Sequence, residues 1–221
     1  MLTEMISLFK KEVLLEWRRK YAFNGILLYL TSTIFVCYFS FKLQHQSLNP
    51  ISWNALFWII LLFTAVNTIA KSFIQESEGR QIYYYQLATP EAIIFSKICY
   101  NSVLMLLMGL LALLVYSIVL GNPVQNLGLF IANLSLGSLC FASNLTMVSA
   151  IAAKSGNNAT LMAVLIFPVI LPVLLLLIKV SKNAIDDLAL SSSYDELSVI
   201  AALNLIVLTV SYILFPYLWR A

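Results

Sequence analysis

Six long apolar stretches run through the chain, at roughly 22–41, 53–70, 98–120, 127–153, 160–178 and 197–219. Each comes close to the about 20 mostly apolar residues that a helix needs to cross a bilayer. None of them alternates apolar and polar residues with a period of two, as a membrane barrel would require. Backbone polar groups in lipid must find partners within their own segment, which leaves helices. The pattern predicts an all-α membrane protein with six transmembrane helices, forming a single domain over residues 1–221.

The polar stretches between the spans add three elements. In residues 2–17, Leu2, Ile6, Phe9, Val13 and Trp17 recur at spacings of four and three, giving one apolar face. With the basic residues nearby, the segment 1–20 reads as an amphipathic interfacial helix lying along the headgroups, or as a plain topology anchor. The second element is the connection 71–97. It is too apolar for a free linker, since Ile82, Tyr83, Tyr84, Tyr85 and Leu87 would be exposed without a partner. Its aromatic patch fits either docking to another protein or an aromatic belt at the membrane surface. Within it, Thr89-Pro90-Glu91 looks like a helix start with proline at the first position. The expectation for the connection is a helix, a break, a short helix and then a second cap into the third span. The third element is an acidic segment, 181–196, with Asp186, Asp187, Asp195 and Glu196; it reads as an outside loop, either solvated or in contact with a partner.

Composition strengthens the membrane reading. Of 221 residues, 61% are hydrophobic and only 10% are charged, and soluble domains average about 25% charged. A cleavable signal peptide is not expected, because Glu4, Glu12 and Glu16 are mixed with the early basic residues and the following apolar run is too long. Lys and Arg set the orientation: ten lie beside the N-terminus, the second and fourth connections and the C-terminus, while only Lys42, Lys179 and Lys182 lie on the other side. The excess predicts that both termini and the connections 71–97 and 154–159 are cytoplasmic. The basic residues form no single patch, and the net charge is only +3, so nucleic-acid binding is not expected.

Chemistry is hard to place on this chain. No phosphate-binding loop occurs among the seven glycines. The single histidine, His45, cannot build a two-histidine metal site, and the scattered Cys37, Cys99 and Cys140 suggest neither disulfides nor a zinc site. No catalytic residue and no metal site are expected. From Ile98 to Ala153 there is no ionisable residue. Ion-coupled transporters usually carry such residues near the midplane, so a transporter driven by a separate engine is favoured. Two span features remain. Ser138, Ala142, Thr146 and Ala150 repeat every four residues, a spacing that lets helices approach closely, within the bundle or between subunits. Pro168 and Pro172 remove two backbone hydrogen bonds from the fifth span and mark a hinge or a fixed bend.

Six spans, an amphipathic N-terminal helix and a segment of the form E-x-E-G…L-x-T-P…K after the second span resemble the membrane subunit of an ABC-2 type exporter. The matching residues are Glu76, Glu78, Gly79, Leu87, Thr89, Pro90 and Lys97. The run Phe167-Pro168-Val169-Ile170-Leu171-Pro172-Val173-Leu174 and the turn Ala153-Lys154-Ser155-Gly156 narrow the resemblance. They are similar to the haem exporter protein B (CcmB) family, the permease-like subunit of the cytochrome c maturation ABC transporter. The family often has Gly-Ser/Thr-Leu-Glu-Gln-Leu where this chain has Gly79-Arg80-Gln81-Ile82-Tyr83-Tyr84-Tyr85-Gln86-Leu87.

The resemblance implies a non-catalytic subunit of the bacterial inner membrane. It binds no cofactor itself. ATP would sit on a dimer of a separate cytoplasmic ABC ATPase, which seats on the coupling loop 71–97. Haem would be handled by the complex, with a second membrane subunit (a self copy or a haem-handling chain), an external haem chaperone and membrane lipid as further partners. The alternatives are a general ABC-2 exporter of a lipid, drug or glycan, and a membrane scaffold that transports nothing.

Overall fold

The computed structural model describes residues 2–18, 21–43, 48–69, 73, 88–154 and 159–220. Among the described residues, seven α-helices follow one another: α1 (Leu2–Arg18), α2 (Tyr21–Leu43), α3 (Pro50–Ile69), α4 (Pro90–Leu120), α5 (Leu127–Lys154), α6 (Ala159–Ile185) and α7 (Tyr194–Arg220). A single 3-10 turn, Leu190–Ser193, leads into α7. No strand occurs among the described residues. Helices α2 to α7 are long and apolar enough to cross a membrane. They run up and down between a near end, which carries α1, and a far end.

Asparagine starts two of these helices. The Asn49 side chain accepts from the Ile51 amide ahead of Pro50, and the Asn126 side chain accepts from the Leu129 amide. Both satisfy donors that a helix start otherwise leaves unpaired. Helix α4 starts as the sequence suggests, with extended Thr89 as N-cap and Pro90 in the first turn. The expected second cap before residue 98 does not exist. The helix continues unbroken for 31 residues to Gly121, where φ is +80°. Nothing between Pro90 and Ile98 can stop it, and the Ser96 hydroxyl bonds back to the Ile93 carbonyl inside the helix. At 1.5 Å per residue such a helix is about 46 Å long, against about 30 Å of hydrocarbon. Its first turns therefore overhang the predicted third span. Helix α6 likewise runs to Ile185, past the expected end at 178, and this shortens the acidic far-end loop.

The centre of the bundle is α5, in which every side chain from Phe141 to Ala150 is buried. It packs on α3, α4, α6 and α7. The largest core side chains gather toward the far end. Trp53 stacks on Phe57 at 5.7 Å and meets Tyr116 edge-on at 4.9 Å, and Phe57 meets Phe130 at 5.3 Å. A separate, smaller cluster at the near end joins Phe73, Ile93, Ile94, Ile98, Ala150 and Phe215, with Leu8 of α1 packed against it. Helices α2 and α7 are peripheral. Leu28, Val36, Leu205, Ile206 and Tyr217 point away from the bundle, as an apolar solvent on the outside allows.

Candidate functional site

The near end is where α1 meets the α4 overhang. The Glu4 carboxylate accepts from the Thr89 amide at 3.3 Å and from its hydroxyl at 3.1 Å. Two turns further along both helices, Lys97 Nζ lies 3.4 Å from Glu12 Oε1. The Lys97 side chain is only 6% exposed and also sits 4.8 Å over the Phe73 ring. The Phe73 amide donates to Ser149 Oγ of α5. Lys97 of α4 therefore meets both α1 and Phe73, four positions past the end of α3. The sequence assigned Lys97 to the connection 71–97, whereas it lies within α4 with its charge buried against a carboxylate.

Electrostatics at this junction favour the ionised carboxylates. Burial works against the charge of Glu12, but the ammonium groups of Lys97 and Lys11 outweigh it and hold the carboxyl below its ordinary range. The two donors of Thr89 do the same for Glu4.

The apolar face expected on α1 is mostly turned outward, as a helix lying along the headgroups requires. Phe9 packs edge-on against Tyr100 of α4 at 6.3 Å, but Ile6 and Val13 are exposed, together with Leu14. Toward α4, Leu8 packs on the near-end cluster, Phe9 meets Tyr100 and Glu12 meets Lys97. A hydrophobic period locates apolar residues; it cannot say which of two apolar stripes meets protein and which meets lipid. The side chains of Leu2 and Trp17 lie outside the described residues.

Of the expected coupling residues, Thr89 and Pro90 stand at the start of α4, and Glu76, Glu78, Gly79 and Leu87 lie outside the described residues, as do the three tyrosines 83–85. Ser138, Ala142, Thr146 and Ala150 are all buried inside this one chain, and Thr146 Oγ1 accepts from Asn101 of α4 at 2.8 Å. Helix α6 passes through Pro168 and Pro172 without ending. Both prolines face outward beside Phe167, Val169 and Leu171.

A set of neutral polar groups escaped the sequence reading. Asn133 of α5 donates to Leu177 O and Ser181 Oγ of α6, both at 2.8 Å. Trp58 of α3 donates to the same Ser181 hydroxyl at 2.7 Å. Asn54 donates to Ile178 O at 2.8 Å, and Ser143 of α5 donates to Asn204 of α7 at 2.6 Å. Gly137 makes room for the first group: a Cβ there would stand 2.9 Å from the Trp58 ring and 3.0 Å from Leu177. Attention to ionisable residues alone hid these positions. Asparagine inside an apolar run was the available signal, because such side chains bond across helices in lipid. Among the described residues, no three His, Cys, Asp or Glu side chains come together at a spacing suited to a metal.

Six apolar helices with α5 as their buried centre, joined by neutral hydrogen bonds, define a multi-pass α-helical membrane protein. Residues 3–218 match the family model described as CcmB protein, and the chain belongs to that family. It is thus a membrane component of the ABC transporter type associated with cytochrome c biogenesis and haem transport. No curated protein and no solved structure matches the chain.

Proposed function

We propose that this chain is the non-catalytic, permease-like subunit that couples ATP hydrolysis by a separate cytoplasmic ABC ATPase dimer to haem delivery. The output is release of a haem-loaded external chaperone for attachment of haem to cytochrome c. The observation that supports this reading most is the α4 overhang. It starts at Thr89-Pro90, where the E-x-E-G…T-P segment ends, and is tied at two points to α1. Force applied to that segment passes directly into a 31-residue helix that packs along α5. The ten-to-three distribution of Lys and Arg supports a cytoplasmic placement of this end, where an ATPase resides, for a chain of the inner membrane. Haem and ATP are then substrates and fuel of the complex, and a second membrane subunit completes the transporter.

Two experiments test this. A gentle detergent pull-down of the tagged chain should recover an ATPase together with haem-handling subunits. An ATPase alone would favour a general exporter, and none at all would leave a scaffold. Second, replacing Glu76, Glu78 and Pro90 together should uncouple ATP hydrolysis from haem attachment while leaving insertion intact; normal activity of that variant refutes the coupling role.

A further inference from the structure

We propose that α1 is a brace for the α4 overhang, with Glu12 and Lys97 as its positioning pair and Glu4 and Thr89 as its second rung. This rests on the coupling reading above, and it assigns α1 a part in transmission beyond anchoring the chain at the membrane surface.

The geometry argues for a brace in three ways. Both rungs join residues separated by the same 85 positions in sequence, so α1 and the overhang run parallel and in register. The rungs stand eight residues apart, about 12 Å along each helix. One bond would leave the helices free to tilt about it, whereas two bonds at that separation resist both tilting and sliding. Between the rungs, Leu8 packs on the cluster containing Ile93 and Ile94. Apolar contact supplies adhesion without direction, and the charged pair supplies the direction.

Lys97 is placed where such a brace would act. It touches Glu12 of α1 and the ring of Phe73, which lies just after α3. The same α4 turns begin at Thr89. The points where the chain leaves α3 and enters α4 are therefore held in one near-end cluster with α1, and Ser149 of α5 fixes Phe73 from the other side. A rotation of the overhang would break the contact of the Lys97 ammonium, whose side chain is only 6% exposed, with Glu12, which is costly.

The test uses the full chain in membranes with its ATPase, and measures ATP hydrolysed per haem attached. Variants are Glu12→Gln, Glu12→Lys, Lys97→Glu and the exchange E12K/K97E. Each single variant should raise the ATP consumed per haem by roughly tenfold, the factor for losing an interaction of ordinary ion-pair strength. The exchange should recover most of that loss. Unchanged coupling in Glu12→Gln overturns the proposal, and so does an exchange variant no better than its parents, because a merely structural role predicts no rescue by reversed charges. In parallel, cysteines placed at positions 4 and 89, with the three native cysteines replaced, should cross-link in the isolated chain; absence of that cross-link overturns the brace as well. If the wild-type chain recruits no ATPase, the coupling reading fails and the proposal fails with it, a result distinguishable by the cross-link still forming.

Discussion

Lys97 of α4 holds Glu12 of α1 across 3.4 Å while lying over the Phe73 ring at 4.8 Å. Three parts of the chain that are distant in sequence meet at one buried ammonium group. Glu12 is also 2.8 Å from Lys11, so a carboxylate half buried at a membrane surface keeps its charge.

This pair predicts an acid-sensitive α1. The Glu12 carboxyl is lowered in the folded protein. Its contribution is complete above the ordinary carboxyl value of about 4.3 and is lost as pH falls through the lowered folded value. Hydrogen exchange of the α1 amides should stay slow from neutral pH down to that region and rise below it, and Glu12→Gln should flatten the acid limb. At neutral pH the cost of Glu12→Gln should fall between the roughly 1 kcal/mol of an exposed pair and the roughly 3–5 kcal/mol of a stranded buried charge.

Gly137 should tolerate no side chain. A methyl would meet the Trp58 ring at 2.9 Å and Leu177 at 3.0 Å, at the crossing of α3, α5 and α6. Gly137→Val should cost at least the roughly 1–3 kcal/mol typical of overpacking, read as a lower midpoint in detergent-induced unfolding. A full-strength midpoint would mean that these three helices pack less closely than described.

Ser181 receives two donors, from Trp58 and Asn133. Hydrogen bonds between membrane helices average about 0.6 kcal/mol and reach about 1.7. Asn133→Ala should therefore cost about 1–2 kcal/mol, as it loses two such bonds. Trp58→Phe and Asn133→Ala share the Ser181 hydroxyl, so a double-mutant cycle should show them to be non-additive.

The two prolines of α6 give the opposite expectation for stability. Pro168 and Pro172 face outward, and each denies the helix a backbone hydrogen bond. Replacing both by alanine should leave stability unchanged or raise it. If they form a hinge, haem attachment should fall in the same variant, and activity equal to wild type would assign them to shape alone.

Much of the fold was legible from the chain. Six apolar runs became six long helices with ends mostly within a few residues, because the length of a spanning helix is a matter of bilayer thickness. The α4 start was legible too, since Thr89-Pro90 is a local signal. Its continuation through residue 97 was not: a second cap was expected ahead of the third span, whereas the helix surface accepts Ser96 and Lys97 because an i−3 carbonyl and Glu12 are at hand. For the candidate site, Thr89, Pro90 and Lys97 were in view as part of a motif, but nothing local pointed to Glu4 as the partner of Thr89 or to Glu12 as the partner of Lys97, each 85 residues away.

The sequence by itself determined the solvent, the number of spans and the family, because hydropathy and short motifs are properties of neighbouring residues. Tertiary structure alone decided that α5 is the buried axis, that Leu8 and Phe9 of α1 pack on protein while Ile6 and Val13 stay exposed, and that Lys97 is a paired buried charge. Lipid and protein interior are equally apolar, so a hydrophobic pattern cannot distinguish them; only the packing of one helix on another does.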